Sequence, residues 1–507
     1  MANIANIAVV VLFLFAMAGM GVYFLKRNNS TEEYFLGGRK IPGWALGLSM
    51  VGTSISSITF LALPAAAFVL DYRQLTPNLF MPVAALIACW IFIPFFRRGL
   101  KTTAYEYLES RYGTGIRIYA ALYSLLGQLL RLAIILYLVV LPLSEMLDIS
   151  ESTAILAFGV ITCFYTVFGG IEAVVWTDVV QTVILLGGGL LCVAAVAFQL
   201  PGGLPQILEI GMEYDKFSLG PLDFSFSERT FWVMSLIGFI GFISEFSSNQ
   251  NVVQRYIAAP TLREARKATL ICIVMSLPTW IFFFFIGSCL FAYYKVFPSA
   301  EVAAMKPDDV LPHFILTEIW PGVGGVIIAA CLAAAMSSLS SSINAVSTIW
   351  TIDFLRLMRR KGNDRFELVN AKLASGAAGI IMIAGAWGIS LIPRESVYDL
   401  SAILGALLCS AGLTPFMLGF FTTRIGNRAI LSGMYAALVF SVYNILNYFK
   451  LLPEPLQWNI HIYMAGPVCN GVMLAVALAY SLFRPEPVTE QLRGLTVWTL
   501  DSPGKAD

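Results

Sequence analysis

Hydroxyl residues crowd one apolar stretch of the chain, "GTSISSITFLALP", which runs from Gly52 to Pro64. A membrane helix tolerates serine and threonine because their hydroxyls can bond to a carbonyl one turn earlier. So many of them beside glycine and proline also allow the helix to break inside the membrane, where freed carbonyls and hydroxyls would coordinate a cation or hydrogen-bond a solute. A close helix–helix contact through small residues is the alternative. The hydroxyl residues are Thr53, Ser54, Ser56, Ser57 and Thr59.

A single arginine lies inside a second apolar stretch, "YSLLGQLLRLAIILYLVVLP". Arg131 is followed by a long apolar run, so its side chain cannot easily reach the membrane surface. Burying a lone guanidinium costs about 2.5–3.5 kcal/mol even on the lenient insertion scale, so Arg131 needs an anion. Asp178 or Glu245 could be a structural counter-ion. A substrate carboxylate is the alternative, because the planar guanidinium matches two oxygens at once, and Gln128 would add a neutral donor one turn away.

A third stretch, "AAAMSSLSSSINAVSTIWTID" from Ala333 to Asp353, carries hydroxyls at helical spacing. Such a stripe can hold two helices together, at about 0.6 kcal/mol per hydrogen bond. Its hard oxygen atoms, without thiolate or imidazole, also suit a hard cation such as Na⁺. Asp178 would then supply the one formal negative charge of that site. The stripe consists of Ala334, Ser337, Ser338 and Ser341, with Ser340 at its flank.

These residues require membrane-spanning helices to hold them. The chain has 507 residues, of which 58% are hydrophobic and 12% are charged, and its mean hydropathy is +0.77. Soluble proteins average about 45–50% apolar and about 25% charged residues, so the surplus apolar surface must face lipid. Uncharged runs of about 20 residues recur without the alternation typical of barrel strands. The sequence therefore predicts an all-α polytopic membrane protein.

The apolar runs predict thirteen transmembrane helices. The longer connections, at 201–229 and 295–322, have room for short helices of their own. The predicted spans are 5–25, 43–70, 76–97, 115–147, 153–169, 174–200, 230–247, 266–294, 323–352, 369–392, 398–421, 429–449 and 460–483.

The basic residues predict the orientation of these helices. With thirteen spans, most of the 32 Lys and Arg residues fall in alternate connections, Arg255 among them. Cytoplasmic connections carry such an excess, so we expect the N-terminus outside and the C-terminus in the cytoplasm. The first apolar run has no basic residue before Lys26, which indicates a retained helix rather than a secretory signal. We therefore expect a multi-pass protein of a plasma membrane, of the bacterial inner-membrane type.

The sequence offers little equipment for catalysis. Its two histidines are His313 and His461, and its eight cysteines lie in apolar runs without a CxxC pair, so no metal cluster is predicted. No nucleophile stands beside a base in the pattern. A net charge of +1 gives no reason to expect a nucleic-acid partner. We expect no enzymatic activity and no obligate protein partner.

Five ordered motifs resemble the sodium:solute symporter family, and the resemblance extends from about residue 30 to 440. It is specific because the motifs agree both in content and in order. They are "STEEYFLGGRKIPGWALGLSMVGTSISSITFLALPAAAF", "TAYEYLESRYG", "GGIEAVVWTDVVQ", "NVVQRYIAAPTLREARKA" and "AAAMSSLSSSINAVSTIWTIDF".

The resemblance implies a LeuT-type fold of two five-helix inverted repeats, with one additional helix before them and two after. The first helix of each repeat is then broken at mid-membrane, and Gly52–Thr59 would form the first break. The implied divisions are 1–42 (helix and signature loop), 43–200 (repeat one), 201–229 (extracellular loop), 230–421 (repeat two), 422–483 (two helices) and 484–507 (cytoplasmic tail).

The resemblance also implies that Na⁺ is the coupling ion, at one or two sites. Gly52 stands where relatives often have alanine, a change that a carbonyl ligand should tolerate. Sodium site one maps to Gly52, Ile55, Ala334, Ser337 and Ser338, and sodium site two maps to Asp178, Ser337, Ser340 and Ser341.

Within the family, the chain is most similar to the bacterial sialic acid transporter group. That likeness implies that Arg131 binds the carboxylate of a sugar acid beside hydroxyls of the broken helix, Ser54, Ser56 and Thr59. A glutamine and an aromatic residue on the next helix are less clearly matched. Gln74, Asn78 and Phe80 lie in that part of the chain.

The resulting expectation is a sodium-coupled importer of a small organic solute, most specifically a carboxylate-bearing sugar such as sialic acid. A neutral sugar or polyol symporter, with Arg131 paired to Asp178 or Glu245, is the alternative within transport. A channel or a solute-sensing receptor on the same scaffold is the alternative from another class. The partners implied are the solute, sodium ions and the lipid bilayer.

Overall fold

The computed structural model shows a protein built from helices throughout the part of the chain that it describes. The described residues are 4–25, 29–97, 102–225, 228–358, 363–391, 412–458, 464–485, 492 and 494–499.

The described residues of the first half of the chain form ten α-helices, which include the predicted spans from 5–25 to 174–200. They are α1 (Ile4–Leu25), α2 (Thr31–Leu36), α3 (Gly43–Ser54), α4 (Ser57–Val69), α5 (Met81–Ile87), α6 (Ile93–Arg97), α7 (Tyr105–Tyr112), α8 (Thr114–Leu147), α9 (Glu151–Gln199) and α10 (Gly203–Glu213). A 3-10 segment, Tyr72–Phe80, precedes α5, and a π-helical turn, Ala88–Phe92, joins α5 to α6.

The second half continues with eleven described α-helices. They are α11 (Phe231–Ser248), α12 (Gln250–Ala258), α13 (Leu262–Val296), α14 (Ala300–Ala304), α15 (Pro307–Thr317), α16 (Val323–Ile349), α17 (Arg356–Met358), α18 (Asp364–Ser390), α19 (Thr414–Phe421), α20 (Asn427–Tyr448) and α21 (Ala465–Phe483). Among them, α14 and α15 are short helices in the predicted connection 295–322, as α10 is in 201–229.

Several helix starts are fixed by capping side chains. The Ser150 hydroxyl accepts a hydrogen bond from the backbone N–H of Thr153 at the start of α9. At the start of α13, the Thr261 hydroxyl accepts one from the N–H of Glu264. Serine and threonine favour this position because their oxygen replaces the missing intrahelical acceptor of the first turn. These residues explain why the long spans begin where they do.

Ten of the described helical segments are long and apolar enough to cross a membrane, or eleven when the bent pair α3 and α4 is counted as one span. The predicted total of thirteen is therefore not confirmed. The predicted helix 398–421 lies mostly outside the described residues, and only its end, α19, is seen. The predicted helices 153–169 and 174–200 form the single element α9.

Gly170 divides α9 without a connecting loop. A helix of this length would extend about 70 Å, more than twice the thickness of the hydrocarbon core, if it were straight. Gly170 instead adopts φ 56° and ψ −162°, a conformation that an L side chain rarely takes. A Cβ atom here would also lie 2.7 Å from the Tyr34 carbonyl oxygen. The predicted four-residue connection is thus replaced by one kinked glycine.

The serine-rich helix α16 forms the centre of the protein. Of its most apolar window, 89% is buried within the protein, whereas 28% of the window in α1 is buried. It packs against α1, α8, α9 and α18. Most of the other spans present one side to lipid, so α16 is the element around which the functional residues are arranged.

A buried lysine caps α4, the second half of the broken span. Lys216, which is 4% exposed, donates hydrogen bonds from Nζ to the carbonyl oxygens of Ala67, Phe68 and Leu70 at 3.2, 2.8 and 2.7 Å. Its ammonium also lies 3.9 Å from the ring centre of Phe291. The last carbonyls of a helix lack intrahelical partners, and a cation near them is favourable. Lys216 therefore ties the end of α4 to the connection that follows α10.

Lys216→Met is expected to lower the melting temperature of the purified protein. The substitution keeps the buried stem but removes the donor shared by three carbonyl groups, in one buried and two partly buried hydrogen bonds, at a cost of about 2 kcal/mol. Lys295→Met is the matched control, because Lys295 is exposed and lies near the same ring, 5.3 Å from its centre. Equal melting temperatures for the two variants would contradict the capping role of Lys216.

Candidate functional site

The hydroxyl-rich stretch breaks its helix as predicted. Helix α3 ends at Ser54 and α4 begins at Ser57. Between them, Ile55 (φ −103°, ψ 108°) and Ser56 (φ −105°, ψ 179°) are extended, and the two helix axes differ in direction by 53°. The carbonyls that end α3 are thereby released from helical hydrogen bonding. The predicted break at Gly52–Thr59 is confirmed, and it provides oxygen atoms inside the membrane.

A second break occurs at Asn249, between α11 and α12. Asn249 is extended (φ −74°, ψ 119°), and its side-chain oxygen accepts a hydrogen bond from the N–H of Asn251 at the start of α12. The sequence predicts that the span ends at 247 and that a connection follows. The structure instead has the short helix α12 there. A broken helix at this position matches the expectation for the first helix of the second repeat, whose bounds stay a prediction.

Asp178 lies at the centre of the site and is fully buried. Its Oδ1 accepts a hydrogen bond from the Ser337 hydroxyl at 2.7 Å, and its Oδ2 accepts one from the Ser49 hydroxyl. The same Oδ2 lies 3.0 Å from Nη2 of Arg255, with which it forms an ion pair. The predicted acid of sodium site two therefore joins α3, α9, α12 and α16 at one point.

The predicted position of Arg255 was wrong. The sequence placed it in a cytoplasmic connection, whereas its side chain is 2% exposed and lies inside the protein. Besides Asp178, its Nη2 donates to the hydroxyls of Thr53 at 2.9 Å and Ser341 at 2.8 Å, and its Nε donates to that of Ser49 at 2.9 Å. The positive-inside count cannot distinguish a loop arginine from one on a buried short helix. The sequence signal was the polar break "SSNQN" ahead of it, which resembles the break near Ser54.

The serines of α16 have different partners. Ser337 bonds Asp178, and Ser341 contacts both Arg255 and the Thr53 hydroxyl, the latter at 3.0 Å. Ser338 donates to the Thr53 carbonyl at 3.4 Å, which links α16 to the end of α3. Ser340 instead donates to the Ser337 carbonyl on its own helix at 3.1 Å. Three of the four predicted serines therefore reach across to neighbouring elements.

The remaining residues predicted for sodium site one are buried at the same junction. Ile55 is 0% exposed and Ala334 is 2% exposed. A Cβ atom on Gly52 would lie 2.8 Å from the Ser337 hydroxyl oxygen and 2.8 Å from that of Thr182. Glycine thus allows two side-chain oxygens to approach the backbone of the broken helix. An alanine here would require both hydroxyls to move, which the sequence comparison alone did not anticipate.

Arg131 is partly buried on α8 and makes no ion pair or hydrogen bond with any residue that the structure describes. Asp178 is paired with Arg255, and Glu245 accepts a hydrogen bond from the Asn249 amide at 2.8 Å. The two candidate counter-ions of Arg131 therefore have other partners. A guanidinium in this setting has unused donors for an incoming anion.

Amide side chains lie one turn from Arg131. Gln128, which is buried, donates to the Asn249 side-chain oxygen at 3.4 Å and accepts from the Asn251 amide at 3.5 Å. Gln128 therefore links α8 to the second break. The sequence predicted that Gln128 lies one turn from Arg131. It did not predict that Gln128 contacts the second broken helix.

The other predicted solute residues surround the first break and the start of the next span. Ser54 and Ser56 are partly buried, and Thr59 is 7% exposed. Gln74 and Asn78 lie in the 3-10 segment and are partly exposed, and within the described chain their side chains form no hydrogen bond. Helix α8 contacts α4, the second half of the broken span. Within the described chain, polar side chains without a hydrogen-bond partner thus lie on α8 and in the 3-10 segment.

The geometry suits ion-coupled solute binding rather than bond-making chemistry. The described residues contain no group of three or more His, Cys, Asp or Glu side chains that would hold a transition metal. They do contain backbone and hydroxyl oxygens around one carboxylate, which are ligands suited to an alkali cation. A half-helix end, a carboxylate and an arginine without a partner in the described part of the chain are typical of transporter sites when they lie in the membrane interior.

Comparisons with known proteins agree with this geometry. The chain is 37% identical to the sodium/sialic acid symporter SiaT of Proteus mirabilis (strain HI4320), over 86% of this chain and 88% of that protein. It is 33% identical to the sodium/sialic acid symporter NanT of Aliivibrio fischeri (strain ATCC 700601 / ES114), over 84% of this chain and 85% of that protein.

Solved structures show the same fold. A substrate-bound, outward-open Na⁺-coupled sialic acid symporter superposes with a TM-score of 0.87 at 32% identity, covering 96% of this chain and 100% of that chain. The nucleobase-cation symporter Mhp1 superposes with a TM-score of 0.57 at 14% identity, over 92% of this chain and 98% of that chain, which shows likeness of fold alone. The predicted all-helical, LeuT-type class is confirmed at this level, while the helix count stays a prediction.

The family model described as the sodium:solute symporter family matches residues 34–437, which is most of the chain. Transport, and not enzymatic catalysis, is the activity of that family, and sodium is its coupling ion. The broken span, the buried oxygens and Arg131 lie in the matched region. The chain belongs to the sodium:solute symporter family.

Proposed function

We propose that the protein imports sialic acid, or a closely similar carboxylate-bearing sugar, together with Na⁺ across a bacterial-type plasma membrane. This proposal is supported by two relatives that are sodium/sialic acid symporters and that match the chain at 37% and 33% identity. The observation that carries the choice of an anion is that the guanidinium of Arg131 has no ion-pair or hydrogen-bond partner among the described residues. The positive-inside pattern supports an N-terminus outside and a C-terminus in the cytoplasm.

In the proposed binding step, Arg131 receives the carboxylate of the solute through two parallel hydrogen bonds. Ser54, Ser56 and Thr59 of the broken span offer hydroxyls to the same molecule, and Gln74 and Asn78 offer amides from the next segment. These assignments rest on residue type, exposure and the contact between α8 and α4. A solute held in this way would bridge α8 and α4.

In the proposed coupling step, sodium binds where α16 meets the broken span. Site one consists of the carbonyls of Gly52, Ile55 and Ala334 with the hydroxyls of Ser337 and Ser338. Site two consists of Asp178, Ser337, Ser340 and Ser341, where Arg255 now competes for the carboxylate. An ion that binds one state better than another shifts the population toward that state. Sodium would thus hold the broken helix ready for the solute.

Ser337→Ala is expected to raise the Na⁺ concentration for half-maximal uptake by about tenfold. The hydroxyl belongs to both proposed sodium sites, and losing one oxygen ligand of about 1–2 kcal/mol corresponds to a factor of this size. Ser338→Ala, which affects site one alone, is expected to have a smaller effect. Ser342→Ala is the control, because Ser342 is buried on the same helix with no partner for its hydroxyl among the described residues. Indistinguishable sodium curves for Ser337→Ala and Ser342→Ala would contradict the site.

The function is tested by reconstituting the protein into proteoliposomes and measuring radiolabelled sialic acid. Accumulation above equilibrium under an inward Na⁺ gradient, and its loss when K⁺ replaces Na⁺, is the expected result. Equilibration without accumulation would favour a channel instead. No uptake of any solute, with solute-dependent conformational change, would favour a receptor.

A neutral-sugar symporter is the second candidate within transport. It requires Arg131 to be neutralised by Asp178 or Glu245, and the partners of these two acids speak against it. Competition by free sialic acid but not by its methyl ester is expected for an anion importer. Equal competition by both compounds would favour the neutral-solute reading.

A further inference from the structure

We propose that the start of α13 forms a binding site for an anionic phospholipid on the lipid-facing surface of the protein. A groove of about 800 Å³ runs along this helix. At one end it is lined by Arg263, Arg266 and Lys267, and further along by apolar residues that include Leu270 and Val274. The site lies outside the sodium and solute residues described above.

The positive charges at this end lack a protein anion. Arg263 and Lys267 are exposed and one turn apart, and neither forms an ion pair within the described chain. Like charges at this spacing repel each other. They also lie in the first two turns of a long helix, where the helix dipole disfavours cations. An anion bound there would remove both penalties.

The nearest acid on the same helix is engaged elsewhere. Glu264 accepts a hydrogen bond from the backbone N–H of Gly43 at 2.7 Å, which directs its carboxylate to α3. Arg266 donates from Nε to the Cys89 carbonyl at 2.9 Å, and its guanidinium lies 5.1 Å from the ring centre of Trp90. Arg266 is thus held in place beside the groove while keeping its charge.

The position of the groove relative to the membrane suits a lipid better than a free phosphate. Trp90 is 73% exposed, and exposed tryptophans mark the level of the lipid headgroups. Leu270 is 46% and Val274 is 70% exposed, and Val274 lies about 10 Å beyond Lys267 along the helix axis. A headgroup phosphate at the cations would therefore place its acyl chains on the apolar part. Basic pockets on helices at this level are typical of anionic-lipid sites.

The test compares phosphatidylglycerol with phosphatidylcholine on the full-length protein. Native mass spectrometry counts bound lipids, and melting temperatures measure the stabilisation by each lipid. Arg263→Gln with Lys267→Gln is expected to weaken phosphatidylglycerol binding by about tenfold or more, because each basic residue near the surface contributes about 1 kcal/mol. Arg424→Gln with Arg428→Gln is the control pair, since these two residues are also exposed and four positions apart in the chain.

Equal loss of lipid binding in both pairs, or none in either, would overturn the proposal. Soluble glycerol phosphate is a further arm of the experiment. If it stabilises the protein as much as phosphatidylglycerol does, the groove binds phosphate alone and the lipid assignment is wrong. Should the double variant lose its fold, the single variant Lys267→Gln is compared with Arg428→Gln by the same two measurements.

Discussion

Replacing Arg131 with alanine is expected to reduce sialic acid uptake by about 100-fold or more, with little change in sodium binding. A bidentate, charge-assisted contact inside the membrane is worth several times an ordinary hydrogen bond, and alanine leaves the solute carboxylate buried without a partner. The measurement is Na⁺-driven uptake in proteoliposomes, with sodium-dependent thermal stabilisation measured in parallel.

Two variants sharpen the Arg131 experiment. Arg131→Lys keeps the charge but loses the planar fork, so we expect weaker uptake that is partly recovered at high solute concentration. Leu126→Ala on the same helix is the control, because Leu126 is 48% exposed and lies outside the proposed site. Uptake by Arg131→Ala that equals that of Leu126→Ala would show that the arginine does not bind the solute.

Removing the carboxylate of Asp178 is expected to be the most destabilising single change in the site. Asp178→Ala leaves Arg255 fully buried without its anion, and breaking such a buried pair costs about 3–5 kcal/mol. The double variant Asp178→Asn with Arg255→Gln removes both charges and is expected to recover much of that loss. The measurement is the melting temperature of each single variant and of the double variant.

The same double variant tests the sodium stoichiometry. One sodium with a monoanionic solute moves no net charge, whereas two sodium ions move one, which is worth about 2.3 kcal/mol per 100 mV. Without Asp178, site two loses its negative charge, so we expect less current per solute in proteoliposomes. Unchanged current per solute would contradict the second site, and a double variant no more stable than Asp178→Ala would contradict the ion pair.

The sequence predicted the parts of the site that are unusual for a membrane helix. Hydroxyls beside Gly52 and Pro64 indicated a break, and the structure has one at Ile55 and Ser56. Helical spacing placed Ser337 and Ser341 on one side of their helix, and both contact the cluster around Asp178. Periodicity succeeds here because a side chain that is polar in an apolar run has to face a partner.

The partner of Asp178 could not be predicted in the same way. Arg255 stands in a polar segment, where an arginine is ordinary and draws no attention. Its role depends on α12 turning into the protein after Asn249, and that turn is a tertiary feature. The predicted connection at 170–173 was wrong for a related reason, because the single glycine at 170 redirects α9 without the polar segment that marks a loop.

The ion pair of Asp178 and Arg255 has a consequence for the unloaded protein. Opposite charges 3.0 Å apart form a unit with no net charge, so a membrane voltage exerts no overall force on it. Whatever electrical work accompanies the return of the empty transporter must therefore act on other groups. When the empty transporter returns to its starting state, a neutral ion pair at the ion site moves no net charge across the electric field.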